Sequence, residues 1–266
     1  MKLRLPQLVG VPYDASSSFL RGATAAPPLI RAAITSPAGN SFTESGADLT
    51  GLADAGDLAL GEDAAAARTA IQSGITAMLE SGFRPISLGG DHSITYPIMR
   101  AIAKRHRGVT ILHVDAHADL YDEYEGDRYS HACPFARIME EDLCARLVQV
   151  GIRTLTPHQR DQIARFGVDA IEMQHFAGGA RPAVNGPVYL SVDLDGLDPA
   201  FAPGVSHREP GGLSVRDVLT IIQGLKGPIV GADVVEFNPS QDIGDLTAST
   251  AAKIVREIAG TMALGA

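Results

Sequence analysis

The chain has 266 residues, of which 45% are hydrophobic and 20% charged, and its formal net charge is −9. That apolar share supports a sizeable core, and no run of it approaches the roughly 20 residues of a membrane helix, so no membrane partner is expected. No Lys/Arg cluster offers a face to phosphates, so no nucleic acid is expected as partner; an acidic protein attracts cations instead, metal ions or a positively charged substrate.

The N-terminal stretch MKLRLPQLVGVPYD has no apolar leader core or cleavage site and reads as a first strand, with its apolar run at 7–12. Residues 26–46 mix a short helix with loop residues, and an Ala-rich helical pattern follows over 62–81. From there strand-like and helical segments alternate: strands at 84–90, 108–115, 146–152, 188–195 and 228–237, helices at 94–106, 134–143, 157–166, 214–225 and 245–264. The strand segments are continuously apolar, as expected of strands buried on both faces. The alternation predicts an α/β fold in one domain over 1–266: a three-layer αβα arrangement with a mainly parallel central sheet. The two cysteines, Cys133 and Cys144, fit no zinc spacing and make no disulfide framework. Reduced thiols and a cytoplasmic location are the expectation.

In open α/β sheets ligands bind beyond the carboxyl ends of the strands. Those ends carry GGDHS (89–93), DAHAD (115–119), DLDGLDP (193–199) and EFNP (236–239). The two-residue period of a strand places Asp115 and His117 on one side, Asp119 can curl back toward them, and Asp193 and Asp195 repeat the spacing. His92 lies in a glycine-rich turn. Four carboxylates crowded together repel one another and take up protons; two divalent cations balance them. Six ligands exceed the three protein ligands of a usual catalytic zinc, whereas a bridged pair of ions accommodates them. Oxygen-rich ligation with two imidazoles suits two Mn²⁺, with Ni²⁺, Co²⁺ or Fe²⁺ as competitors.

GGDHSI, DAHADLYD and SVDLDGLDPAFAPG resemble the three signature segments of the ureohydrolase family, which includes arginases and agmatinases. The likeness spans nearly the whole chain, and EGDRYSHACPFARIMEEDLCARLVQVGIRTL (125–155) resembles the plant-type arginase branch. The resemblance implies that His92, Asp115, Asp119 and Asp193 hold one Mn²⁺ and that Asp115, His117, Asp193 and Asp195 hold the other, Asp115 and Asp193 bridging. It implies that Glu236 accepts the substrate guanidinium and that His131 shuttles a proton. The implied reaction is attack of a metal-bound hydroxide on a guanidino carbon, releasing urea and an amine, most simply L-ornithine from L-arginine. Agmatine is the alternative substrate, followed by a guanidino acid such as guanidinobutyrate. A homo-oligomer, trimer or hexamer, is also implied.

Recognition of the substrate's tail is less constrained. Tyr121 stands where many arginases have Asn, Asp127-Arg128 where the plant-type motif has Asn-Lys, and GIRTLT (151–156) lacks the acid that animal arginases turn toward the α-amino group. Arg128 suits a carboxylate and Asp127 a distal ammonium, so both are candidate substrate-binding residues. The acidic stretch 121–128 is either a solvated loop or a recruiter of cations. His113 is expected to be a hydrogen-bonded core histidine, Asp91 an orienter of its neighbours, Asp198 a turn residue and His207 a loop residue. A related-fold deacetylase needs fewer ligands, and a silent partner subunit would have lost some. A pure metal-binding module leaves Glu236 and His131 without a purpose.

Overall fold

The structure is a computed structural model that describes residues 6–265. The opening MKLRL of the expected first strand lies outside the described residues, as does Ala266. The described strands are β1 (Pro6–Gly10), β2 (Ala53–Asp57), β3 (Arg84–Leu88), β4 (Thr110–Val114), β5 (Arg146–Ile152), β6 (Asp169–Glu172), β7 (Val188–Asp193) and β8 (Ile229–Val235). They form one sheet in the order β2-β1-β3-β8-β7-β4-β5-β6, and every pairing is parallel.

Seven described α-helices connect them and an eighth follows β8: α1 (Ala26–Ile34), α2 (Ala64–Glu80), α3 (Thr95–Arg105), α4 (Pro134–Glu140), α5 (Pro157–Phe166), α6 (Met173–Ala177), α7 (Val215–Gln223) and α8 (Leu246–Leu264). Several starts are written in the chain: Asp63, Thr156 and Ser214 each accept a hydrogen bond from a backbone N–H of the first turn. Successive strand residues point to opposite faces, so Ile111 packs with α2, α3 and α4 while Leu112 packs with α1, α7 and α8. Two buried layers result, one on each side of the sheet, and the αβα expectation holds. No described helix is long and apolar enough to cross a membrane.

Two strands had no sequence signal, and they are the two edges of the sheet. β2 reads ADAGD and is mostly exposed; β6 reads DAIE and is four residues long. Neither has the apolar run that marks the buried strands, because an edge strand is paired on one side only and natural edges are short and charged. The six expected strands are present. Five end earlier than the apolar pattern suggested, β1 at Gly10 and the four central strands at Leu88, Val114, Asp193 and Val235. The residues shed from the four central ends carry the polar groups described next.

Candidate active site

The four strands concerned, β3, β8, β7 and β4, are adjacent in the middle of the sheet. Beyond β3 the chain passes Gly90 so close to Tyr13 that an added Cβ would stand 1.7 Å from the Tyr13 carbonyl oxygen, which only glycine permits. Asp91 then caps a 3-10 turn at His92–Ile94 by accepting from Ser93 N at 3.0 Å. Its other oxygen accepts from Ser16 N at 3.0 Å, which ties the loop after β1 to the site. Asp91 therefore orients its neighbours, as expected of it.

The pleat of β4 does not align Asp115 with His117, because the strand stops at Val114. A side-chain turn does so instead: Asp115 Oδ1 accepts from His117 N at 2.6 Å. Asp193 repeats it, accepting from Asp195 N at 2.7 Å. The expected grouping forms, from a different cause. Asp119 and Glu236 adopt left-handed backbone conformations, φ +49° and +63°. Such conformations cost a non-glycine residue about 1 kcal/mol or more and cluster at functional sites. Main-chain bonds hold them here, from Phe135 N to Asp119 O at 3.2 Å and from Glu236 N to Gly90 O at 2.9 Å.

His92 Nδ1 faces three carboxylate oxygens, on Asp115 at 3.2 Å, Asp119 at 3.1 Å and Asp193 at 3.1 Å. Ser191 Oγ donates to Asp233 at 2.6 Å, so it accepts from His92 Nε2 at 3.0 Å. The His92 proton is thereby fixed on Nε2. In the neutral imidazole Nδ1 is then a buried lone pair with no hydrogen-bond partner among the described residues, a position that either a proton or a cation can fill. A lone pair facing three carboxylates has no donor between them, and a cation is what satisfies all four. His117 Nδ1 faces the second Asp115 oxygen at 3.4 Å and Asp195 at 3.2 Å. The residues present thus suit two neighbouring cations with Asp115 between them.

Two His/Asp groups have metal-ligand spacing among the described residues: His92, His113 and Asp115, and Asp115, His117 and Asp195. His113 is excluded as a ligand by its proton. Gln149 Nε2 donates to Ala118 O at 2.7 Å and contacts His113 Nδ1 at 3.0 Å, so Nδ1 accepts. Nε2–H then donates to Asp115 at 2.7 Å. His113 is a buried residue that orients Asp115, in keeping with the sequence reading.

The electrostatics tell the same story. Burial, then repulsion from Asp195 and Asp115, holds Asp193 well above the usual carboxylate range. Burial, only partly offset by His117, pushes Asp195 up to about 6. For Asp115 burial acts the same way, but His113, His117 and His92 outweigh it and hold it low. Burial also opposes charge on His92 and His117, yet the carboxylates raise both. Without cations the cluster has to hold protons; divalent ions take their place.

Above the cluster lies a cavity of about 240 Å³. His131 Nδ1 stands 2.9 Å from Glu236 Oε1, and its Nε2 stands 2.8 Å from Ser18 Oγ. Burial lowers the His131 pKa, Glu236 and Asp91 raise it more, and it settles at about 9. Glu236 Oε1 also accepts from His92 N at 2.8 Å. Its Oε2 accepts no hydrogen bond from any described residue, and the side chain lines the cavity. Asp119, Asp193, Asp195 and His117 line it as well.

Asp127 and Arg128 do not line it. Asp127 accepts from Tyr129 N at 2.8 Å in a surface turn, and Arg128 is half-exposed and paired with Glu140 at 3.0 Å. Their neighbours Tyr121 and Tyr124 face the cavity instead. Asp122 binds Gln162 and Arg165 of α5, so part of the acidic stretch anchors its loop. Asp198 accepts from Ala200 N and Gly211 N, a turn residue as expected. His207 lies closer in than a plain loop residue, with its ring 5.3 Å from His131 and lining the cavity. Ser18, Thr154, Gln159 and Glu209 also line it and were not singled out from sequence. None of them follows a buried strand in an acid-rich motif; Glu209 was legible only as a part of HREPGG.

The chain matches the Arginase family over residues 6–260. It is 50% identical over 271 residues to "Arginase 1, mitochondrial" of Oryza sativa subsp. indica, covering 94% of this chain and 79% of that one. It is 37% identical over 267 residues to a guanidinobutyrase of Pseudomonas aeruginosa, covering 94% of this chain and 84% of that one. Among solved structures, "Arginase from Medicago truncatula" superposes with a TM-score of 0.93 at 46% identity, covering 98% of this chain and 88% of that one. A match that takes in all four central strands and the carboxylate cluster at their ends leaves one conclusion: this chain is a hydrolase of the Arginase family.

Proposed function

We propose that the protein hydrolyses L-arginine to L-ornithine and urea with a pair of Mn²⁺ ions. His92, Asp115, Asp119 and Asp193 would hold one ion, and Asp115, His117, Asp193 and Asp195 the other. When bound, the pair neutralises the four aspartates and supplies a nucleophile at neutral pH. The observation that carries this reading is the bare His92 lone pair facing three carboxylates, with Asp115 shared between His92 and His117.

The chain's own residues do the rest. Glu236 Oε2 is available to accept from a guanidinium, and the Oε1 contacts to His92 N and His131 fix its direction. A bound guanidinium is thereby oriented over the cluster. His131 is buried, carries its proton near neutral pH, and stands beside Glu236. It is placed to hand a proton to the leaving amine. Ser18 steadies the far side of the ring.

The test is a urea-release screen after Mn²⁺ loading with arginine, agmatine, 4-guanidinobutyrate and 3-guanidinopropionate. Arginine is expected to be the best substrate, and Asp193→Asn is expected to abolish release and lower metal content. Inertness toward all four compounds rejects the reading. Agmatine is the second reading, because among the described residues no Lys or Arg lines the cavity to hold an α-carboxylate.

A further inference from the structure

Apart from Glu236, the cavity lining carries one acid outside the metal cluster. Glu209 lines the cavity with its side chain 35% exposed, and its Oε1 stands 3.7 Å from His117 Nε2. Its backbone is fixed to the metal cluster. The Arg153 guanidinium donates to Glu209 O at 3.0 and 2.5 Å and to Asp195 O at 2.6 Å. The same side chain also bonds Gly151 O and Gly196 O, so it ties together the Glu209 loop, the end of β5 and the segment after β7. Next to Arg153 is Thr154, whose hydroxyl is buried, lines the cavity and has no hydrogen-bond partner.

We infer that Glu209 and Thr154 form the subsite for an ammonium group at the far end of the substrate, which makes Glu209 a specificity-determining residue. This rests on the guanidino-hydrolase reading and deepens it. A carboxylate and a neutral hydroxyl acceptor together bind a hydrogen-bond donor of positive charge and repel a carboxylate. Among the described residues no Lys or Arg lines the cavity to reverse that preference. The substrate class is therefore a guanidino compound with a second, cationic amine. Arginine and agmatine qualify; 4-guanidinobutyrate, whose tail is an anion, does not. Because Arg153 fixes Glu209 relative to Asp195, the subsite also sets the distance between the scissile guanidinium and the ammonium.

The experiment compares wild type, Glu209→Gln and Thr154→Val, all Mn²⁺-loaded, by urea release and by calorimetric binding of agmatine, arginine and 4-guanidinobutyrate. In Glu209→Gln the KM and the calorimetric Kd for agmatine and arginine are expected to rise roughly ten- to a hundredfold. Those for 4-guanidinobutyrate stay level or fall, and bound Mn²⁺ stays the same. Thr154→Val gives a smaller change in the same direction. Equal losses for all three compounds, or loss of Mn²⁺ from Glu209→Gln, would assign Glu209 to steadying His117 and overturn the subsite. Urea release with unchanged KM in Glu209→Gln also overturns it while leaving the hydrolase reading intact. A wild type that releases no urea, yet binds agmatine more tightly than Glu209→Gln does, sinks the hydrolase reading and keeps the ammonium subsite.

Discussion

Asp115 offers one carboxylate oxygen to His92 at 3.2 Å and the other to His117 at 3.4 Å. It is fully buried, and its direction is set by His113 on one oxygen and by the His117 backbone on the other. In the proposed two-ion centre, a side chain placed this way would belong to both metal positions at once. Asp119 faces His92 at 3.1 Å and makes no ion-pair contact with His117 among the described residues. Asp115→Asn is expected to lose both ions, whereas Asp119→Asn retains about one of two. Metal analysis of the purified variants checks the difference; equal content in the two variants contradicts the shared role.

The His92 tautomer depends on a relay beneath the site. Asp233 is fully buried and accepts from Thr95 Oγ1 at 2.9 Å, Tyr189 OH at 2.6 Å and Ser191 Oγ at 2.6 Å. Ser191 in turn takes the His92 Nε2 proton. Asp233→Asn weakens three charge-assisted bonds and is expected to cost about 2–3 kcal/mol in chemical denaturation. Since His92 then loses its fixed tautomer, Mn²⁺ affinity is expected to fall roughly tenfold or more. An unaltered Mn²⁺ titration would show that the relay does not hold the ligand.

Metal removal has a pH signature. In the cation-free fold Asp195 is pushed up to about 6, and burial with the neighbouring carboxylates holds Asp193 well above the usual carboxylate range. Their unfolded values lie near 3.9. Groups raised on folding add stability that is complete below the unfolded pKa and is lost as pH rises through the folded one. The cation-free protein is therefore expected to lose stability from about pH 4 upward, with most of the Asp195 share gone above about pH 6. Mn²⁺ competes with those protons, so the Tm gain on adding it should be larger at pH 7.5 than at pH 5. Scanning calorimetry of EDTA-treated protein with and without Mn²⁺ measures both trends; a gain independent of pH speaks against the carboxylate assignment.

How much of this was legible in the residues follows from what constrains each one. Asp115, His117 and Asp119 stand at fixed short spacing in one turn, so the chain itself displays the cluster. His92 and Asp193 follow apolar runs that announce buried strands. Glu209 lies 16 residues beyond the end of β7 in a long loop, and it reaches the site through Arg153, 56 residues away in the chain. Such a placement is set by packing, which local spacing does not carry. Arg128 has the charge to meet a carboxylate and stands close to the motif in the chain; in the fold it pairs with Glu140 on α4, outside the cavity lining. The strands β2 and β6 were silent because exposure at an edge removes the apolar pattern.

Helix α8 is anchored at its start by Asp242, which accepts from Thr247 N at 3.0 Å and Ala248 N at 3.1 Å. Partial burial would raise its pKa, but these bonds outweigh that and lower it. The stability it adds is complete above the unfolded value near 3.9 and is lost as pH falls through the lower folded one. Asp242→Asn is expected to cost about 1 kcal/mol at pH 7, solvent screening keeping the figure small, and to match wild type in strong acid. Urea denaturation at pH 7 and pH 2.5 tests it; a constant difference at both would refute the charge dependence.

The ends of the sheet limit how copies of this chain can meet. On β2, Asp54 and Asp57 are both held by Arg31; beside β6, Arg146 grips Asp169 and Arg160 grips Glu172. A strand arriving from another molecule would have to displace acid–guanidinium pairs at either border before its main chain could zip on. Any assembly is thereby steered toward contacts between helices and loops, and the row of eight parallel strands stays closed to growth from outside.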